Sequence, residues 1–163
     1  MARVTVLKDA SISDQLKKLS GRTEEVAKKA IYAGAKILTD EVRKNLDNLP
    51  EEQFRFLMEG EKFGGVPPEQ KKDLQDSLGV TPIKQDKTGD WNAKIGFDGY
   101  GSMPTTKYPK GLPNNLLARS IESGSSVRQK TPFVRPAIRK KKKEVLAEMQ
   151  AVVDEEIRKT GGM

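Results

Sequence analysis

Apolar positions at helical spacing predict one long helix near each end of the chain. A capping-box sequence at 11–14 precedes the first helix, whose apolar stripe continues to about residue 46. Small residues, among them Ala30 and Gly34, narrow the middle of this helix, so that another element can approach closely there. The pattern does not distinguish between two packing partners for this helix: a sheet of the same chain or a neighbouring subunit.

A change to strict alternation predicts a β-hairpin between the two helices. Leu78, Val80 and Ile83 form its first strand, a turn follows at 87–90, and residues 91–97 form the second strand. The alternation of Val4 and Val6 indicates that residues 1–10 form either an edge strand or a mobile arm. A further turn or two of helix is predicted at 51–58.

Glycine and proline mark the irregular segments. Residues 60–68 and 98–115 are predicted to be loops, whereas 116–121 fits a third strand or a short helix equally well. Pro132 and Pro136 predict an extended stretch between them, with Pro136 opening the C-terminal helix and the glycines at 161 and 162 ending it. The sequence therefore predicts one α+β domain over 1–163, with both long helices packed on a small antiparallel sheet.

Composition argues against catalysis. The chain has no Cys and no His, which excludes disulfides, thiolate nucleophiles, Ser-His-Asp triads and His-ligated metal sites. Its acidic pairs fall on helical positions expected to be exposed. We therefore expect a protein that is not an enzyme and needs no cofactor or metal. The absence of a long apolar run and of a leader pattern predicts a soluble intracellular protein with no membrane association.

The charge is concentrated near the C-terminus. The net charge is +7, and residues 1–100 contribute none of it, because their 17 basic side chains equal their 17 acidic ones. Between 128 and 143 there are eight basic residues and no acid. Such a strip is either a solvated helix face or a contact for nucleic acid or a protein partner. The strip comprises Arg128, Lys130, Arg135, Arg139, Lys140, Lys141, Lys142 and Lys143.

Two motifs resemble a known family. The sequence Pro-Phe-Val-Arg-Pro-Ala, which begins at Pro132 and includes Phe133, Arg135 and Pro136, is similar to a Pro-Phe-Leu-Arg-Pro-Ala signature of the neck and tail-completion proteins of long-tailed bacteriophages. Upstream, the run 117–124 resembles an Ala-x-x-x-Glu-Phe-Gly-Thr pattern of the same proteins, although Ser123 stands in place of the aromatic residue. The order of the predicted elements is also similar.

The resemblance implies a structural subunit of the head–tail connector, located in the virion and assembled in the host cytoplasm. It implies a homo-oligomeric ring, expected to be a hexamer, with tail-tube and head-closure proteins as partners and genomic DNA in its lumen. Subunit contacts are then expected at Ala30 and Gly34, and at Tyr100 and Tyr108 of the 98–115 loop. The alternative is a small nucleic-acid-binding protein that uses the 128–143 strip.

Overall fold

The structure, a computed structural model, describes residues 2–5 and 21–161. Its elements confirm the α+β class: two long helices, two short helices and an antiparallel sheet. In chain order they are β1 (Ala2–Thr5), α1 (Thr23–Asp47), α2 (Pro68–Ser77), β2 (Leu78–Val80), β3 (Lys84–Gln85), β4 (Trp91–Phe97), α3 (Asn114–Ser123) and α4 (Val134–Gly161). The capping sequence at 11–14 and residues 6–10 lie outside the described residues.

Strand β4 is the centre of the sheet. On one side β1 pairs with it antiparallel, Ala2 opposite Ile95, and on the other side β2 places Val80 opposite the same residue. β3 continues the β2 side, and the turn that follows is closed by Asp86, whose Oδ1 accepts the N–H groups of Thr88 and Asp90 at 2.9 and 3.0 Å. The predicted hairpin is confirmed, except that its first strand is interrupted at residues 81–83, so that Ile83 lies between β2 and β3. Residues 2–5 form an edge strand.

The two long helices pack chiefly against each other. Gly34 is buried at their contact, where a Cβ atom would lie 2.9 Å from Cγ of Met149 and 3.0 Å from Cγ1 of Val145. Ala30 is likewise buried, at 2% exposure. The small residues of α1 therefore admit α4 of the same chain, which corrects the expectation of a subunit interface at Ala30 and Gly34.

Two local predictions are wrong, and one helix was not predicted. Residues 51–58 are not helical, because their backbone bonds elsewhere: Glu52 N–H donates to the carbonyl of Val66 at 3.1 Å. Helix α2, which no pattern predicted, begins at Pro68, a position where the missing N–H costs nothing. Helix α4 begins at Val134, so the segment between Pro132 and Pro136 is not extended throughout.

The remaining segments agree with the sequence. Residues 98–113 contain no helix or strand, and the open choice at 116–121 resolves to a helix within α3. Helix α4 runs to Gly161, as the glycine pair predicted. No helix among the described residues is both long and apolar enough to cross a membrane.

Candidate interaction surface

A buried carboxylate fixes the beginning of α4. Glu122 of α3 accepts the N–H groups of Phe133 and Val134 on Oε2, at 2.8 and 2.9 Å, and that of Arg135 on Oε1 at 2.9 Å. The first N–H groups of a helix have no acceptor within the helix, and a negative charge is favourable there. This explains why α4 starts two residues before Pro136, instead of at it.

The proline-bracketed motif is mainly structural. Phe133 is 1% exposed, and its ring packs on Phe97 with the centroids 5.8 Å apart. Its carbonyl accepts a 3.0 Å hydrogen bond from Nδ2 of Asn45 on α1. The motif therefore connects α1, α3 and β4 at the point where α4 begins, while Arg135 and Pro136 remain exposed.

A groove of about 440 Å³ lies beside this junction. It is formed where the end of β4 meets α1, α3 and the first turns of α4. Its walls are largely apolar. Its polar lining comprises the exposed Arg119 and Arg135 together with Asn115, Glu122 and Ser123. The apolar walls comprise Val42, Leu78, Ile95, Phe97, Ala118, Val134 and Ile138.

The basic strip divides into buried, paired and free cations. Arg128 is 7% exposed, and its guanidinium donates to the carbonyl of Gly65 at 3.2 Å and to Oε1 of Gln70 at 3.1 Å. Burial lowers the pKa of Arg128. The prediction of a surface contact at Arg128 is therefore wrong, because this side chain joins the loop before α2 to the segment before α4.

Two lysines of the strip have carboxylate partners. Lys140 donates to Glu41 of α1 at 2.8 Å, and this hydrogen bond lowers the pKa of the buried Glu41 carboxyl. Lys141 donates to Glu144 at 2.9 Å, and its side chain is 24% exposed.

The free cations lie on one face of α4. Arg135, Arg139, Lys142 and Lys143 are exposed, and their spacing puts them on adjacent helical positions. None of them has an ion pair within the part of the chain that the structure describes. We call these four residues the basic face. Lys130, in the segment before α4, is also exposed.

An apolar loop forms a second exposed feature. We call residues 51–66 the apolar loop. In this loop the exposed fraction is 47% for Phe54, 90% for Phe56 and 71% for Met58. Its base is closed by Glu52, whose Oε2 accepts the N–H groups of Gly64 and Gly65 at 2.7 and 3.0 Å. These hydrogen bonds lower the pKa of Glu52.

A family comparison identifies the class of protein. The model of a family described as "Bacteriophage HK97-gp10, putative tail-component" matches residues 10–100, more than half of the chain. The chain belongs to this family. Neither the curated proteins nor the solved structures contain a significant match to the sequence. The resemblance to phage proteins is thus confirmed at the level of a tail component, and its proline-bracketed motif lies outside the matched residues.

In this tail-component chain the two tyrosines that were predicted to contact another subunit lie on the long loop at 98–113. This loop precedes the basic strip in the sequence. Tyr100 is 69% exposed, and Tyr108 is half-buried with Nζ of Lys107 5.6 Å from its ring centroid. The loop is anchored to α2 by Asp73, which accepts from N–H and Oγ of Ser102 at 2.8 and 3.0 Å. Both tyrosines remain predictions as contact residues.

The exposure of the apolar loop and the capping role of Glu122 were not predicted from the sequence. The alternation of Phe54, Phe56 and Met58 was a visible signal, since period two does not fit the helix predicted there. Glu122 was identified only as a motif position. Its hydrogen bonds join residues 11 to 13 positions apart, a pairing that no local pattern reveals.

Proposed function

We propose that this tail-component chain is a ring-forming subunit of the phage head–tail connector, which closes the end of the tail tube and lines the path of the DNA. Membership of a phage tail-component family supports the coarse assignment. The proline-bracketed motif supports the finer one, because it resembles neck and tail-completion proteins and it organises the start of α4. The ring is expected to be a hexamer.

The basic face is the observation that carries the proposal. Four adjacent cations are left without carboxylate partners among the described residues, although neighbouring lysines of the same helix are paired. A ring repeats such a face around its axis and thereby gives a lumen with positive potential toward the phosphates of passing DNA. Tail-tube and head-closure proteins contact the two rims of the ring, and the site of action is the head–tail junction of the virion.

The chemistry of the chain supports a structural role without catalysis. The sequence holds no Cys or His, and across the described residues no group of three or more acidic side chains is arranged to hold a metal ion. The proposal therefore includes no cofactor.

The test is negative-stain electron microscopy of the purified protein, alone and mixed with tail tubes from the same phage. Rings, or caps at tube ends, are expected. Bare tube ends at saturating protein would overturn the connector assignment. The subunit number of the caps gives the stoichiometry directly.

A nucleic-acid-binding protein is the second candidate, and the basic face favours it. In this case the protein binds duplex DNA without forming caps, and its affinity falls steeply with salt. A variant with Gln at Arg135, Arg139, Lys142 and Lys143 then loses affinity and has a shallower salt slope. A variant with Gln at four exposed lysines elsewhere provides a control of equal charge change: Lys36, Lys62, Lys84 and Lys87.

A further inference from the structure

The apolar loop is built to be exposed. Phe56 is 90% exposed between the exposed Phe54 and Met58, whereas a monomer seldom presents several large apolar side chains together. The loop is also held in place. Arg55 forms ion pairs with Glu61 at 3.0 Å and with Glu52 at 3.4 Å, so that the exposed residues need little ordering upon binding.

The loop does not occupy the groove of its own chain, since no residue of 51–66 lines the groove. Phe63 N–H donates to the carbonyl of Val127, and the carbonyl of Phe63 accepts from Gln129, both at 2.9 Å. Lys71 of α2 pairs with Glu51 at 3.2 Å. Because the base of the loop is fixed on both sides, and Phe56 is almost fully exposed, the loop leaves the groove of its own chain open.

The groove complements the loop in size, polarity and charge. Its volume of about 440 Å³ lies within the range of roughly 300–1,000 Å³ that is typical of ligand sites, and its walls are largely apolar. Arg119 and Arg135 line it and are exposed. The tip of the loop carries Glu59 next to Met58, and Glu59 has no ion pair among the residues that the structure describes. Glu122 also lines the groove, but its carboxylate already accepts three backbone N–H groups, so the two exposed arginines face the acidic tip of the loop.

We propose that the apolar loop of one copy docks into the groove of a second copy, with Phe56 and Met58 between the apolar walls and Glu59 beside Arg119 and Arg135. The loop and the groove are different surfaces of one subunit, so the contact is head-to-tail, the type that generates a closed ring or a filament. The inference deepens the proposed connector function by naming its subunit contact. Arg139, Lys142 and Lys143 continue along α4 from Arg135 and remain available to DNA.

Disulfide cross-linking tests the contact, because the chain has no natural cysteine. A Glu59→Cys chain, which keeps Phe56 and Met58, is mixed with a mass-tagged Ser123→Cys chain, whose new thiol lies in the lining of the groove. Oxidation is expected to give a heterodimer on a non-reducing gel, both in concentrated protein and on tail tubes. Lys87→Cys, in the exposed turn before β4, replaces Ser123→Cys in the control mixture.

A second variant measures the energy of the contact. Phe56→Ser is expected to weaken self-association by about 30-fold, the effect of removing an aromatic hot spot. Tyr32→Ser, at a half-exposed aromatic on α1, should leave self-association unchanged. Analytical ultracentrifugation across a concentration series gives both values, and far-UV circular dichroism checks that each variant is folded.

The outcomes separate this inference from the connector assignment. A specific heterodimer without caps on tubes supports the loop–groove contact and overturns the connector function. If the amount of heterodimer is no greater than in the Lys87→Cys control, with and without tubes, the loop–groove contact is overturned even where caps form. Loss of tube caps in Phe56→Ser, together with heterodimer at the control level, also overturns the contact, because the loop then binds the tail tube.

Discussion

The two halves of α4 are both rich in charge but use it in different ways. In the second half, buried Glu156 accepts hydrogen bonds from Arg22 at 3.1 Å and Lys29 at 3.2 Å, and Lys159 lies 3.5 Å away. In the first half, the basic face has no carboxylate partners among the described residues, and α4 is attached through Phe133 and the backbone hydrogen bonds to Glu122. The second half therefore uses the charge of Glu156 for folding, whereas the basic face of the first half is left to a partner.

The difference shows how charged residues of one helix are assigned to stability or to function. A carboxylate that is buried must find donors, and at Glu156 these are cationic side chains. The donors to Glu122 are backbone N–H groups, so this carboxylate forms no ion pair with a cation of the first half of α4. The capping of α4 by a carboxylate is thus one reason that the basic face stays free.

The largest effect is expected from removing this cap. Glu122→Ala leaves the N–H groups of Phe133, Val134 and Arg135 without their acceptor, and a buried donor without a partner costs about 1–3 kcal/mol. We expect the free energy of unfolding to fall by about 2–4 kcal/mol, measured by urea denaturation. Glu122→Gln keeps one acceptor oxygen and should lie between the wild type and the alanine variant.

Glu148→Ala is the matched control, because Glu148 is an exposed acid in the second half of α4. Its substitution should change the free energy of unfolding by less than about 0.5 kcal/mol. Equal effects at Glu122 and Glu148 would show that the carboxylate does not hold the first half of the helix.

The sequence predicts what repeats along the chain and misses what depends on distant partners. Helix α4, the hairpin and the alternating strand β4 follow from local periodicity, and the structure has all three. The contact of Gly34 with Met149 does not follow from local periodicity, because small residues on α1 allow close packing by any element, of this chain or of another. Helix α2 was not predicted, because Pro68 was assigned to the loop at 60–68 and the next predicted element was the strand at Leu78.

The candidate surface divides in the same way. The spacing of Arg135, Arg139, Lys142 and Lys143 is readable as one helix face. The burial of Arg128 is not, since its acceptors lie 58 and 63 positions earlier in the chain. Nor does the sequence distinguish paired Lys140 from free Lys142, because Glu41 is brought beside α4 only by the packing of the two long helices.

A smaller, pH-dependent effect is expected at the second half of α4. The hydrogen bond from Lys29, with the charges of Lys29, Lys159 and Arg22, lowers the pKa of Glu156. A carboxyl whose pKa is lower in the folded state stabilises the fold above its unfolded pKa, and this stabilisation is lost as the pH falls through the folded value. Glu156→Gln should therefore lower the melting temperature at pH 7, less than Glu122→Ala does.

The gap between the wild type and Glu156→Gln should close as the pH is lowered from 5 toward 3, in a series of thermal melts. Glu148→Gln, which removes an exposed carboxylate from the same half of α4, is the control for general charge effects. A gap that stays constant with pH would mean that the ion pairs of Glu156 do not contribute to stability.

The smallest effect separates two lysines within one run. Lys140→Gln removes the cation that hydrogen-bonds to buried Glu41, so it should lower the melting temperature slightly at pH 7, and less at low pH where Glu41 is protonated. Lys142→Gln removes the same charge from the basic face and should leave the melting temperature unchanged. For DNA affinity at low salt the order is reversed, with the larger loss at Lys142. If both substitutions alter stability and DNA affinity alike, the division of the strip into paired and free cations has no functional meaning.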